Sequence, residues 1–198
     1  MSSPAPTRGR GRRQLLLVAS LFFVPLAAVL WLYFGSGWRP GAGAANGELI
    51  DPPRALPNAP LRLADGSAAA ADVLRTRWAL VHVVDEACAL RCRSALIEMR
   101  QARLALDKDA GRVQRVLLHA GACCESGFGA EDPDLLLLEA SGPSGAALRE
   151  IFPPAAGGER GIYIVDPHGN LMMGYPATGA ASGIRKDLER LLRLSHIG

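Results

Sequence analysis

The hydrophobic positions of this chain form two unlike patterns. Leu15–Phe34 is a continuous apolar stretch without a charged residue. A helix of that length rises about 1.5 Å per residue and spans roughly 30 Å, the thickness of the hydrocarbon core of a bilayer. From Pro57 onward, short apolar runs alternate with amphipathic ones. The first pattern predicts a transmembrane helix, and the second predicts a folded domain that contains both strands and helices.

Two apolar runs in the second region predict neighbouring buried strands. Trp78–Val84 is uninterrupted, which is typical of a strand covered on both faces of a parallel sheet, and Val113–His119 resembles it. Further strands are predicted at 61–63, 134–138, 161–166 and 171–175, and helices at 68–75, 91–108, 145–152 and 184–194. The leucine run at 134–138 could instead open a helix. The order β-α-β-α-β-α-β-β-α is the thioredoxin arrangement, so the predicted fold class is α/β with a thioredoxin-like domain.

These patterns divide the chain into four parts. We expect a basic tail at 1–14, a transmembrane anchor at 15–34, a flexible linker at 35–56 and the thioredoxin-like domain at 57–198. The linker is assigned because its stretch is rich in glycine and proline and has no periodic apolar face.

The charge distribution predicts how the anchor is oriented. The net charge is +3, but Arg8, Arg10, Arg12 and Arg13 alone supply four positive charges beside the apolar stretch. The rest of the chain is therefore close to neutral and gives no indication of nucleic-acid binding. The positive-inside rule places the tail in the cytoplasm and the domain on the far side of the membrane. The alternative is a signal peptide cleaved near 42–44, although the apolar stretch is longer than a usual signal sequence and ends well before that site.

Four cysteines are the candidate chemical groups. Cys88 and Cys92 follow the first buried strand at the start of a predicted helix, where an offset of four residues puts both on one face, at a separation that a disulfide can bridge. A helix N-terminus also lowers the pKa of a thiol. Because parallel strands end at the same sheet edge, Cys123, Cys124 and His119 should approach the first pair.

The chemistry open to these residues is disulfide formation, thiol–disulfide exchange or binding of a soft metal ion. In exchange, Cys88 is the expected attacking thiolate, because it lies in the loop before the helix, and Cys92 is the resolving residue. Cys123 and Cys124 could resolve a mixed disulfide, add thiolate ligands or simply pack. His82 lies within a buried strand and is expected to be a hydrogen-bonded core residue.

Two segments resemble the Sco/SenC group of cytochrome oxidase assembly proteins. These are Cys88-Ala-Leu-Arg-Cys92 after a hydrophobic strand and Gly161-Ile-Tyr-Ile-Val-Asp-Pro-His-Gly-Asn170, which is similar to that family's strand and turn. The resemblance implies copper held by both cysteines and a downstream histidine, or reduction of the cysteines of the oxidase copper site. The chain departs from the family at 155–160, which has no histidine, and it has no proline directly before the 161–166 strand.

The resemblance leads to a specific functional expectation. The chain would be a single-pass protein of the inner membrane whose periplasmic domain assists cytochrome c oxidase assembly, by thiol–disulfide exchange or by Cu(I) delivery. Cys88 and Cys92 would be the exchanging pair, and Cys88, Cys92 and His119 the copper ligands. The partners would be the membrane and an oxidase subunit or its copper-site cysteines. This describes an assembly factor more than a turnover enzyme, and an enzyme would be a thiol–disulfide oxidoreductase. The alternative is a binding or scaffold module with a structural disulfide.

Overall fold

The computed structural model describes residues 8–35, 45–121, 123–124, 132–154, 160–195 and 197. Its helices and strands follow the predicted alternation. They are α1 (Arg8–Gly35), β1 (Glu48–Ala55), β2 (Arg62–Leu63), β3 (Trp78–Val84), α2 (Leu90–Leu104), a 3-10 helix (Asp107–Arg112), β4 (Val113–His119), β5 (Leu135–Glu139), α3 (Gly142–Glu150), β6 (Ile162–Val165), β7 (Asn170–Tyr175) and α4 (Ala181–Leu194).

The strands form one sheet in the order β1-β7-β6-β3-β4-β5-β2. Strands β3, β4 and β5 are parallel, whereas β6 is antiparallel to β3 and β7 is antiparallel to β6. The predicted α/β thioredoxin-like arrangement is confirmed. The sheet has a buried cluster on each face, and the cluster that includes Leu80 and Leu117 also contains the buried residues of α2 and α4.

Helix α2 lies where its apolar periodicity predicts. Ala95, Met99, Ala102 and Leu106 recur at intervals of four, three and four residues, as one helix face requires, and all four are buried. Because this face packs against the sheet, the start of α2 is held above the ends of the central strands. The side chain of Glu98 on α2 also accepts hydrogen bonds from the backbone N–H groups of Gly179 and Ala181, which joins α2 to the beginning of α4.

The predicted helix at 68–75 is wrong, since this stretch forms turns. The Ala69 N–H donates to the carbonyl of Leu61, and Ala68 forms a bridge with Arg62. This pairing takes up the first residues of the stretch. The few that remain cannot offset the cost of starting a helix.

The linker expectation is wrong for 48–55, which form strand β1 beside β7. The pairing has an irregularity between Leu49 and Arg54. An edge strand tolerates Pro52 and Pro53 there because an edge residue can do without a ladder N–H. The buried carboxylate of Asp187 fixes the approach to β1 by accepting hydrogen bonds from the backbone N–H groups of Asn46 and Gly47.

The chain divides into two compact units, Met1–Gly43 and Ala44–Gly198. Within the first, Gly11–Leu32 is helical and is apolar and long enough to cross a membrane. Pro25 lies inside this helix, as transmembrane helices permit. The expected anchor at 15–34 therefore coincides with a helix of suitable length and composition.

Candidate functional site

The two cysteine pairs occupy equivalent positions after neighbouring parallel strands. Val84 at the end of β3 is the register partner of His119 at the end of β4. Cys88 lies four residues after Val84, and Cys123 lies four residues after His119. The Cys88 N–H donates a hydrogen bond to the Cys123 carbonyl at 2.9 Å. The predicted approach of the second pair to the first is confirmed.

Both pairs are disulfides. Cys88 is bonded to Cys92 with their Cα atoms 5.1 Å apart, and Cys123 is bonded to Cys124. Ala89 is the N-cap of α2 and makes no side-chain capping hydrogen bond. The partial positive charge of this helix end is therefore not offset by a capping side chain, and it favours a thiolate when the first bond is reduced.

Cys88, the expected attacking residue, is buried, as are Cys92 and Cys123. Cys88 is 8% exposed, Cys92 5% and Cys123 5%, whereas Cys124 is half-buried. The first three belong to one buried cluster, against which Cys124 packs. The backbone of Cys123 lies against that of Cys88, so the second pair helps to cover the first.

A cavity of about 360 Å³ lies beside the first disulfide. Its lining includes Cys92 but not Cys88, together with His82, Arg91 and Arg160. Of the two residues of this disulfide, Cys92 is therefore the one that borders the cavity.

His82 is the buried, hydrogen-bonded histidine that the sequence predicts. Its Nδ1 lies 2.7 Å from the carbonyl oxygen of Gly161. A carbonyl can only accept, so Nδ1 carries the hydrogen and Nε2 holds the lone pair of the neutral ring. Burial lowers the pKa of His82 despite this hydrogen bond, so the ring stays neutral beside the cavity.

His119 lies at the same sheet edge, as the last residue of β4. It is buried and pairs in register with Glu139 on β5. Its Nδ1 is buried without a hydrogen-bond partner. Burial lowers the pKa of His119, and the charge of Glu139 opposes that shift. The neutral ring therefore presents an unused nitrogen at this edge.

Two arginine–aspartate clusters hold the segments around the cysteines. Arg115 is 1% exposed and forms an ion pair with Asp132, the first described residue after Cys124. The hydrogen bonds from Arg115 hold the pKa of Asp132 below its usual value of 3.8. This pair attaches Asp132 to the centre of β4.

The second cluster is centred on Asp85, in the segment that joins β3 to α2. Asp85 accepts a hydrogen bond from Nε of Arg149 at 2.8 Å and another from Nε of Arg160 at 2.9 Å. Burial alone would raise the pKa of Asp85, but the hydrogen bonds and charges of the two arginines together lower it. The spacing of motifs along the chain gave no sign of either cluster, because each joins residues that are distant in sequence.

The fit to copper depends on the oxidation state of the sulfurs. No three histidine, cysteine, aspartate or glutamate side chains within the described ranges are grouped to hold a metal ion. Thiolates are the ligands that Cu(I) prefers, and disulfide sulfur is not thiolate. Reduction of Cys88 and Cys92 would supply two such ligands, and no third such side chain of the described residues is grouped with them. Residues 155–159, part of the stretch where the family histidine was sought, lie outside the described residues.

Solved structures show where this fold occurs. The chain is similar to copper-bound ScoI of Arabidopsis thaliana, with 14% identity and a TM-score of 0.58 over 71% of this chain and 99% of that one. It is also similar to copper-bound ScoI of Bradyrhizobium japonicum, with 19% identity and a TM-score of 0.52 over 69% and 98%. A third is BsSco, described as a member of the Sco family of cytochrome c oxidase assembly proteins with a disulfide switch, with 16% identity and a TM-score of 0.55 over 75% and 99%.

These similarities confirm the resemblance to Sco proteins at the level of the fold. No curated protein matches the chain. A family profile described as "transmembrane-like, thioredoxin-like, C-terminal domain" matches residues 78–195, which run from the first residue of β3 to just beyond α4. The chain belongs to this family of transmembrane-like, thioredoxin-like C-terminal domains.

Proposed function

We propose that this chain is a membrane-anchored thiol protein that assists the assembly of a respiratory oxidase outside the cytoplasm. Its principal chemistry is thiol–disulfide exchange through Cys88 and Cys92. One observation carries the proposal: the Cys88–Cys92 disulfide lies at the start of α2, beyond the ends of the parallel strands, and a cavity opens on Cys92. The Sco proteins that share this fold include one described as a cytochrome c oxidase assembly protein.

The position of the cavity supports different roles for Cys92 and Cys88 in the exchange. In the reduced pair, Cys92 attacks a disulfide of the oxidase subunit, and one partner sulfur leaves. Cys88 then attacks Cys92 and releases the second partner sulfur. The uncapped end of α2 stabilises the thiolate forms during these steps. This reverses the roles expected from chain position alone, because Cys88 is the residue that the second pair covers.

The orientation of the anchor completes the proposal. Arg8, Arg10, Arg12 and Arg13, at the start of the apolar helix, favour an N-terminus in the cytoplasm and a domain in the periplasm. Disulfides persist in that compartment, so the four cysteines can cycle between oxidised and reduced states there. The anchor would keep the domain close to an oxidase that is itself embedded in the membrane.

A variant in cells tests the exchange. The full-length double variant Cys88→Ser, Cys92→Ser should lower the copper content and activity of the oxidase, because serine cannot form or break the disulfide. Ile97→Ser, at an exposed position of α2 that does not line the cavity, is the matched control and should leave both unchanged. An unaltered oxidase in cells that carry the double variant at normal levels would refute the proposed function.

A trapping experiment tests the two roles. Cys88→Ser leaves Cys92 without its resolving partner and should accumulate a mixed disulfide with the oxidase subunit. Cys92→Ser should accumulate much less. A stronger complex through Cys88 would mean that the attacking residue was assigned wrongly.

Delivery of Cu(I) is the second candidate, favoured by the two thiolates that reduction of the Cys88–Cys92 bond would supply. Here the metal is cargo that the reduced Cys88 and Cys92 hold and pass on. Anaerobic titration of the reduced full-length protein should show one tightly bound Cu(I), lost in the double serine variant. Equal binding by wild type and the double variant would exclude this site.

A further inference from the structure

We infer that Cys123–Cys124 is a second redox-active pair that passes electrons to Cys88–Cys92. This inference rests on the proposed exchange function and adds the route by which the exchanging pair is reduced. It starts from the juxtaposition of two disulfides at one sheet edge, joined by the hydrogen bond from the Cys88 N–H to the Cys123 carbonyl.

The exposure of the sulfurs gives the route a direction. Cys124 is the half-buried cysteine, whereas Cys123, Cys88 and Cys92 are at most 8% exposed. Cys92 lines the cavity beside the first disulfide. The four residues therefore form a sequence from an entry at Cys124, through the buried Cys123 and Cys88, to an exit at Cys92.

The electrons come from a dithiol protein in the same compartment. One of its thiolates attacks Cys124, the Cys123–Cys124 bond breaks, and Cys123 leaves as a thiolate. The second thiolate of the donor attacks the first, releases Cys124 and leaves the donor as a disulfide. The second pair of this chain is then a dithiol, and the donor has lost two electrons.

The transfer within the chain follows the same chemistry. Cys123 attacks Cys88, the Cys88–Cys92 bond breaks, and Cys92 leaves as a thiolate beside the cavity. Cys124 then attacks Cys123, which re-forms the second disulfide and releases Cys88. Two electrons move from one pair to the other, and the two thiolates released can take up protons from water. Cys92 is then ready to attack its partner.

The neighbouring groups suit this transfer. His119, the last residue of β4, has a buried Nδ1 without a hydrogen-bond partner. An imidazole nitrogen with a free lone pair can accept the proton of a thiol, which produces the thiolate that exchange needs. The ion pair between Arg115 and Asp132 attaches the segment at Asp132 to β4.

The first test traps the contact between the pairs. The full-length double variant Cys92→Ser, Cys124→Ser retains Cys88 and Cys123 and should form a Cys88–Cys123 disulfide on mild oxidation, seen by mass spectrometry. The matched control Cys92→Ser, Cys123→Ser retains Cys88 and Cys124 and should form its bond more slowly. Failure of Cys88 and Cys123 to bond in the folded protein would overturn the inference.

The second test follows the flow of electrons. Full-length protein in detergent micelles is mixed with reduced thioredoxin as the probe, and both pairs are monitored by thiol alkylation. Cys123 and Cys124 should become reduced before Cys88 and Cys92. In Cys123→Ser, Cys124→Ser, reduction of the first pair should be about tenfold slower, because the probe loses its accessible entry. An unchanged rate would overturn the inference.

The outcome in cells separates this inference from the proposed function. If Cys88→Ser, Cys92→Ser disables the oxidase and Cys123→Ser, Cys124→Ser does not, the exchange function stands and the relay is wrong. If neither variant affects the oxidase, the proposed function itself fails. Thermal unfolding of each variant checks that a loss does not come from misfolding.

Discussion

The two cysteine pairs begin at the same distance beyond adjacent parallel strands, but the backbone that follows each strand has a different conformation. Cys88 and Cys92 bridge the start of a helix and are buried, with a cavity on one side. Cys123 and Cys124 are neighbours in a loop, and Cys124 is half-buried. The comparison teaches that the edge of a parallel sheet can bring two sulfur pairs together while the following element decides which pair a partner can reach.

The largest expected effect comes from the ion pair between the buried Arg115 and Asp132. Asp132→Ala leaves the buried guanidinium of Arg115 without its partner and should lower the free energy of unfolding by about 3 kcal/mol. Denaturant unfolding measures this change. Thiol alkylation under mild reduction should also show that Cys123 and Cys124 become easier to reach.

Asp134→Ala is the matched control, two residues further along the chain. Asp134 also pairs with an arginine, Arg103 at 3.1 Å, but its side chain is 58% exposed. An exposed pair contributes under about 1 kcal/mol. If the two variants lose equal stability, the burial of Arg115 does not make its pair with Asp132 stronger than the exposed pair.

A second prediction concerns pH and the side of the site near Cys92. Burial lowers the pKa of His82 from its usual 6.5, so below that pH the unfolded chain binds more protons than the folded one. Stability should therefore fall as the solution is acidified below about pH 6.5, by at most about 1.4 kcal/mol per pH unit for this group. Denaturant unfolding at a series of pH values measures the slope.

The histidine variants assign that slope. His82→Asn keeps an N–H group toward Gly161 but cannot be protonated in this range, so the slope should become shallower. His168→Asn changes an exposed turn residue and should leave it as it was. His119 contributes in the same direction as His82 because burial also lowers its pKa. A slope that His82→Asn leaves unchanged would contradict the assignment.

The smallest expected effect lies at Asp85, between β3 and the first cysteine pair. Asp85→Asn weakens the contacts to Arg149 and Arg160 and should lower stability by under about 1 kcal/mol, because the carboxylate is 47% exposed. Glu86→Gln, at the next exposed position, is the control. Alkylation of the first pair should accelerate in Asp85→Asn alone, since that cluster holds the strand end beside it. Equal rates in both variants would show that the cluster does not position the pair.

Sequence alone was sufficient to predict the centre of the site. The apolar runs at 78–84 and 113–119 have the strand bounds of the structure, because strands buried on both faces leave an uninterrupted hydrophobic pattern. Once both were parallel strands, the shared edge placed Cys123 beside Cys88. The amphipathic period of α2 likewise predicted which face would be buried.

The remaining features depend on tertiary contacts that no local pattern records. Strand β1 has prolines and exposed residues, which is the pattern expected of a linker. It forms a strand because β7 pairs with it and because Asp187 accepts a hydrogen bond from the backbone just before it. The burial of Cys88 follows from a hydrogen bond to a residue 35 positions away. The cavity that favours Cys92 requires the packing of α2 against the strand ends, which spacing does not reveal.

The central claim is that Cys88–Cys92 is an exchanging disulfide and not a structural one. The most direct measurement is the reduction potential of this pair in the full-length protein, read by alkylation in the Cys123→Ser, Cys124→Ser background, where it is the only disulfide. The account predicts a potential clearly above about −300 mV, in the range of catalytic and regulatory disulfides. A potential below about −300 mV would mark the bond as structural and contradict the account.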